Sequence, residues 1–307
     1  MIERIRFENY GPFREADLRL GPLTVLVGPN ASGKTTALLA LHRLRRSKSI
    51  RLAQLAQGAD QGALEVEAKD WGGRFSVDRH LGDDGTGRFK TYTRHLSLEP
   101  RHLRSASYVD SSDPRLSSNG YGLPTALAHL KLSDDSKYVA ILERTRGIVP
   151  SFVGLRFARE AVTKNGNNVF GDQLIFDMKN AKGLSPDQVS DGTVLTLGLL
   201  TAAMTVEKDE TILLIDEIER SLHPRALGEL VTHLRRLTEE TGIQILATSH
   251  SPYLLDALKP DEVRLTGFLE DGSATIRELS DHPEFDRWKD EMTPGEFWST
   301  VGEDWIQ

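Results

Sequence analysis

The 307 residues predict an α/β fold: a mixed sheet around a glycine-rich loop, an antiparallel β subdomain and a smaller helical lobe. Three observations lead there. A short apolar run, Leu23 to Val27, passes through a glycine-rich loop into an Ala- and Leu-rich stretch, Thr35 to Leu44, that reads as a helix. A second apolar, β-branched run, Thr211 to Ile215, is followed by a helical stretch, Pro224 to Glu239, and a third run, Ile243 to Ala247, which is the alternation of a parallel βαβ unit. Residues 63–94 and 152–179 alternate as strands do. Turns are expected at Gly72-Gly73, Gly82 to Gly87, Asn165 to Asn168 and Gly171-Asp172, and residues 124–148 read as helical.

The first loop carries Gly28, Pro29, Asn30, Ala31, Ser32, Gly33, Lys34, Thr35 and Thr36, the pattern G-x-x-x-x-G-K-T between strand and helix. Gly28 and Gly33 let the backbone curl so that its N–H groups face inward, and the helix N-terminus adds partial positive charge. Lys34 is expected to reach the β- and γ-phosphates, and Thr35 to offer a hydroxyl to magnesium. The second run ends in Asp216-Glu217, at the carboxyl edge of the sheet where open α/β folds bind ligands. Asp216 is expected on the metal, and Glu217 beside the attacking water. In the intervening helix Leu227, Leu230, Val231, Leu234 and Leu237 fall at helical spacing behind Pro224. After the third run comes Thr248-Ser249-His250, and His250 is placed to hydrogen-bond a γ-phosphate.

Val189 to Thr193 reads VSDGT. Ser190 suits a helix N-cap, and Val194 to Ala203 continues as an apolar helix, so taken alone the string is an ordinary capped helix with an anion-friendly start. In the order phosphate loop, VSDGT, Asp-Glu strand, TSH, the chain resembles the ATP-binding-cassette class of ATPases. That resemblance implies an ATP-dependent homodimer, head-to-tail, in which Ser190, Asp191 and Gly192 reach the partner's nucleotide and Ser221-Leu222-His223 forms a dimer contact. The opening IERIRFENYGPFREADLRL resembles the RecF, SMC and OLD branch, and SDGT, LHP and TSHSP resemble the OLD-type and stand-alone defence ATPases. The implied module spans residues 1–258, with its signature-bearing lobe at about 110–205 and a C-terminal extension, 259–307, packed on the core. The class also implies a glutamine loop, and Gln54, Gln57 and Gln61 are near its expected place without a context that assigns one of them.

Composition narrows the setting. No cysteine is present, which removes disulfides, thiol catalysis and thiolate metal sites. No 18-residue apolar run and no leader sequence is evident, the pattern expected of a cytoplasmic protein with no membrane partner. A formal charge of −7 gives no global field for nucleic acid, although Arg43, Arg45, Arg46, Lys48 and Arg51 cluster after the first helix, where cations also suit the helix dipole. The stretch from Lys34 to Ser190 is too short for long coiled-coil arms and shows no heptad run. OLD-type nucleases add a TOPRIM domain, which needs an Asp-x-Asp pair; the chain has none. The expectation is therefore an ATPase using ATP and Mg2+ that regulates a separate effector, a TOPRIM-like nuclease or a toxin, in anti-phage defence. The alternatives are a RecF- or SMC-like DNA maintenance ATPase and, disfavoured by the signature, a transporter subunit. Tyr10 or Phe13 is a candidate for stacking on the base, and equally for the core. Phe297, Trp298, Trp305 and Ile306 in the tail are expected to dock on the core, the alternative being service to a partner.

Overall fold

A computed structural model of the chain describes residues 1–47, 54–78, 82–83, 92–108, 114–164, 166–206, 210–301 and 305. In chain order the elements begin β1 (Ile2–Tyr10), β2 (Phe13–Arg19), β3 (Leu23–Val27), α1 (Lys34–Ser47), β4 (Gln61–Ala68), β5 (Trp71–Asp78), β6 (Gly82–Asp83) and β7 (Tyr92–Leu96). They continue α2 (Pro100–Arg104), α3 (Leu123–Ser133), α4 (Asp135–Ile148), β8 (Phe152–Lys164), β9 (Asn167–Met178), β10 (Ala181–Leu184) and α5 (Asp191–Met204). The last are β11 (Glu210–Ile215), α6 (Pro224–Thr241), β12 (Gln244–Ser249), α7 (Pro252–Leu255), β13 (Val263–Phe268), β14 (Ala274–Glu278), α8 (Phe285–Trp288) and α9 (Pro294–Val301). Two compact units result: residues 1–95, 208–219 and 234–307, and residues 96–207 and 220–233.

The first unit is built on an eleven-stranded sheet in the order β6-β5-β4-β1-β2-β14-β13-β3-β12-β11-β7. Strands β13, β3, β12 and β11 run parallel, whereas β5, β4, β1 and β2 form an antiparallel meander. The sequence explains the contrast. All five residues of β3 and all six of β12 are buried, as a parallel strand covered on both faces requires. In β1 the buried side chains Ile5 and Phe7 alternate with Arg4 and Arg6, which reach across to Asp17 and Glu15 on β2. The guanidinium of Arg4 bonds the Asp17 carboxyl and holds it below the usual carboxylate range. Gln244 is a polar residue in an apolar strand, and every bond explains it. Its amide takes the Ile2 N–H at 3.0 Å and donates to Ile2 O at 2.7 Å and Gly21 O at 2.9 Å, tying the start of β12 to the start of β1.

The sheet runs through the expected boundary at residue 258. Strands β13 and β14 fill the gap between β3 and β2, so the sheet takes in residues up to Glu278. Beyond it, α9 is held by Asp256, whose Oδ1 accepts from Thr293 Oγ1 at 2.5 Å and Gly295 N at 3.0 Å, and Phe297 is buried. Trp305 stacks edge-on against His282, while Ile306 lies outside the described residues. Tyr10 and Phe13 are both wholly buried in the core cluster with Phe7, so neither is available to a base.

In the second unit α3, α4 and α5 pack with a three-stranded antiparallel sheet, β10-β9-β8. α5 is buried along its length from Thr193 to Ala203, a helix apolar on every side. Two expected turns are strand instead. Gly72-Gly73 lies inside β5, opposite Glu67 and Val66. Gly171-Asp172 lies inside β9, where Asp172 exchanges backbone bonds with Ser107 and a β-carbon on Gly171 would come within 2.6 Å of Ser107 O. Glycine serves close approach there, not a turn. The turn expected across Gly82 to Gly87 lies largely outside the described residues.

Candidate functional site

The loop after β3 is held in a shape that only its own residues permit. Gly28 and Gly33 have φ of +152° and +91°, and Ala31 adopts +64°. A β-carbon on Gly28 would collide with Thr266 O, and one on Gly33 would lie 2.5 Å from the Phe13 ring. Thus β13 and the β1–β2 turn press the loop from two sides. The Ser32 hydroxyl donates to Pro29 O at 2.8 Å and lies beside Thr266 Oγ1. Lys34 is buried at 5% exposure, with Nζ donating to Gly28 O at 2.8 Å and Pro29 O at 2.6 Å. Asn30, Ala31, Gly33, Lys34, Thr35, Thr36, Glu217 and His250 line a cleft of about 260 Å³ over this loop.

Opposite the loop, the exits of β11 and β12 are knitted together. The Thr248 hydroxyl donates to Asp216 Oδ1 at 2.6 Å and accepts the Glu217 N–H at 2.9 Å. Ile218 N bonds Thr248 O at 3.1 Å, and His250 N donates to Glu219 Oε1 at 2.6 Å. Glu217 has φ +50°, a conformation rare outside glycine, and its side chain is exposed toward the cleft. Thr35 Oγ1 approaches Asp216 Oδ1 at 3.4 Å. A hydroxyl beside one carboxylate suits magnesium, which keeps waters and phosphate oxygens as its other ligands. The structure therefore brings together Lys34, Thr35, Asp216, Glu217 and His250.

Ser190, Asp191 and Gly192 stand in the second unit. Ser190 caps α5, its Oγ 2.9 Å from Thr193 Oγ1. Gly192 lies against Ser221, whose carbonyl oxygen would be 2.6 Å from an added β-carbon, so the VSDGT loop and Ser221-Leu222-His223 touch at that point. Nothing in the sequence pointed to Arg104, which holds this loop: Nε donates to Pro186 O at 2.9 Å, Nη2 to Val189 O at 2.7 Å, and Nη1 pairs with Asp191 Oδ1 at 2.6 Å. Thr248 and Glu219 brace the two strand exits, a role that the sequence alone does not reveal. Among the described residues lining the cleft, no glutamine appears. Of the basic cluster, Lys48 and Arg51 lie outside the described residues.

Beside Asp216, the His95 ring on β7 packs against His42 at 5.3 Å between centroids. Burial pushes its pKa down, while the Asp216 carboxylate pulls it up.

The geometry agrees with the proteins this chain is similar to. A family described as AAA domain, putative AbiEii toxin, Type IV TA system matches residues 72–256, and the AAA ATPase domain family matches residues 1–78. The OLD nuclease of Thermus scotoductus is 49% identical over 86% of this chain and 62% of its own length. The Septu protein PtuA of Bacillus mycoides is 27% identical over 85% of this chain and 40% of its own. The chain thus spans less than two thirds of either relative. In fold it is similar to the SMC head domain from Thermotoga maritima, with a TM-score of 0.55 at 12% identity over 91% of this chain and 98% of that one. An SMC head bound to the C-winged helix domain of ScpA gives a TM-score of 0.58 at 11% identity over 91% of this chain and 98% of that one.

Proposed function

The chain belongs to the AAA family described as AAA domain, putative AbiEii toxin, Type IV TA system, and is an ATPase of the RecF-, SMC- and OLD-like P-loop class; from that premise we propose that it is a nucleotide-driven switch. Two copies close head-to-tail around two Mg-ATP, and hydrolysis opens them. The observation that carries this reading is the convergence of Lys34, Thr35, Glu217 and His250 on one cleft, with Asp216 bonded to Thr35 at its edge.

ATP binding replaces one set of oxygens by another around Lys34. Its ammonium now sits on two loop carbonyls, and phosphate oxygens are better acceptors for a buried cation. The loop N–H groups and the N-terminus of α1 receive the same phosphates. Thr35 and Asp216 would hold Mg2+, which when bound neutralises charge on the β- and γ-phosphates. Glu217 orients the attacking water and accepts its proton, held in place by its strained backbone and by Thr248. His250 donates a hydrogen bond to the γ-phosphate, and the partner's copy of the VSDGT loop closes over that phosphate. Loss of the γ-phosphate removes the charge that bridges the copies, so chemistry becomes motion.

The relatives support a reading of the biological output. One is named a nuclease. The family description names a toxin–antitoxin system. The proposed role is regulation of a nuclease or toxin supplied by a separate polypeptide, in anti-phage defence and in the cytoplasm. No helix among the described residues is long and apolar enough to cross a membrane. The test is a Glu217→Gln chain, expressed in its native cells and recovered with ATP and magnesium, with and without nuclease treatment. A stoichiometric protein partner that survives nuclease supports regulation of an effector. Recovery of DNA alone, with proteins lost on digestion, contradicts it in favour of a DNA-maintenance role.

A further inference from the structure

The signature loop carries a carboxylate where it is expected to meet a phosphate. Asp191 is the first residue of α5, next to Ser190 and Gly192, and its side chain is 49% exposed. A bare carboxylate there would repel the triphosphate it is meant to receive. Its charge suits the dipole of α5, which explains its stability but not its compatibility with a second anion.

Arg104 resolves the conflict. It lies at the end of α2, 85 residues before Val189 in sequence, and is only 17% exposed. Three of its nitrogens are committed to the signature loop: two to backbone carbonyls on either side of Gln188, and one to the Asp191 carboxylate. Gln173 Nε2 in turn donates to Arg104 O at 3.1 Å, anchoring its backbone to β9. The two carbonyl bonds fix the fork, so the third nitrogen is delivered to Asp191 whether or not a nucleotide is near.

We propose that Arg104 is a positioning residue for the trans-acting signature: it neutralises Asp191 and presents Ser190 and Gly192 to the partner's γ-phosphate. This rests on the head-to-tail reading above and deepens it. Arg104 touches no nucleotide; it acts through Asp191 and through the loop backbone. The proposal separates from a purely structural role, because a structural arginine is not replaced by removing the charge it faces.

The experiment uses Arg104→Gln, Asp191→Asn and the double variant in the full chain. Binding of a fluorescent ATP analogue reads each chain's own phosphate loop, and sedimentation with ATP reads self-association. Arg104→Gln should weaken ATP-dependent self-association about tenfold while analogue affinity stays within about twofold. The double variant should recover to within about threefold of Asp191→Asn alone, the non-additivity expected of a coupled pair. A double variant as weak as Arg104→Gln, or an Arg104→Gln chain that associates like wild type, overturns the proposal. Should Arg104→Gln fail to fold, Arg104→Lys carries the test: it keeps the charge but loses the fork, and a folded Lys chain whose loss of association Asp191→Asn does not relieve overturns the proposal. If the wild-type chain itself does not associate with ATP, the switch reading falls first and this proposal with it.

Discussion

The loop that opens α1 and the loop that opens α5 both end in a helix N-terminus, and both are expected to meet phosphate, yet they are held by different means. The first is held by shape. Gly28 and Gly33 sit at positive φ against Thr266 and Phe13, and α1 carries no acidic residue in its first turn. The second is held by charge and capping: Ser190 caps the helix, Asp191 occupies its first turn, and Arg104 pins both the carboxylate and the chain before it. A loop that must grip a nucleotide in every state is pre-formed by steric exclusion. On the proposed reading, a loop that meets its phosphate only when a second copy arrives is kept rigid and electrically compensated by one arginine.

The largest effect should come from chemistry at the first corner. Glu217→Gln should lower kcat by about a thousandfold with ATP binding retained, read from single-turnover hydrolysis. A wild-type rate would remove Glu217 from its role. Next, the two corners should tolerate a methyl group differently. Gly28→Ala adds both a backbone collision and a forbidden φ, and should cost about 3 kcal/mol in thermal unfolding. Gly192→Ala meets Ser221 O without a positive φ and should cost about 1 to 2 kcal/mol. Equal costs would mean that strain is not what distinguishes the loops.

A smaller change should follow Thr248→Val, which keeps the shape but deprives Asp216 Oδ1 and Glu217 N of their shared hydroxyl. It should cost about 2 kcal/mol and lower kcat more than it changes KM. Thr248→Ser should restore both, and failure of that rescue would show that the methyl group, not the hydroxyl, matters. The smallest effect concerns pH. Burial lowers the His95 pKa below its ordinary value of 6.5, so the unfolded chain binds that proton more readily. Stability from this group is therefore present above pH 6.5 and lost as pH falls below it, and His95→Asn should flatten that part of the stability curve. An unchanged slope would assign the acid sensitivity elsewhere.

The linear motifs were legible because each packs its chemistry into a few consecutive residues between an apolar strand and a helix. Leu23 to Val27, Gly28 to Thr36, Asp216-Glu217 and Thr248 to His250 fall on the elements expected of them. What escaped was long-range pairing. Val263 to Phe268 and Ala274 to Glu278 enter the sheet between β3 and β2, and nothing local in those short runs reveals partners more than two hundred residues earlier. Gly171 read as a turn because the segment it passes, at Ser107, is remote in sequence. Arg104 was invisible for the same reason: an arginine in a basic stretch becomes a clamp only when folding brings Pro186, Val189 and Asp191 to it.

The central claim is that each copy completes the other's site, and mixing two crippled chains tests it most directly. Lys34→Ala should have no working phosphate loop but an intact VSDGT surface; Ser190→Arg should have the reverse. Each alone should hydrolyse almost no ATP. Mixed in equal amounts, the heterodimer joins one intact loop to one intact signature, and activity should return to about a quarter of the wild-type level. A mixture as silent as its components, with both chains folded, would contradict the head-to-tail account.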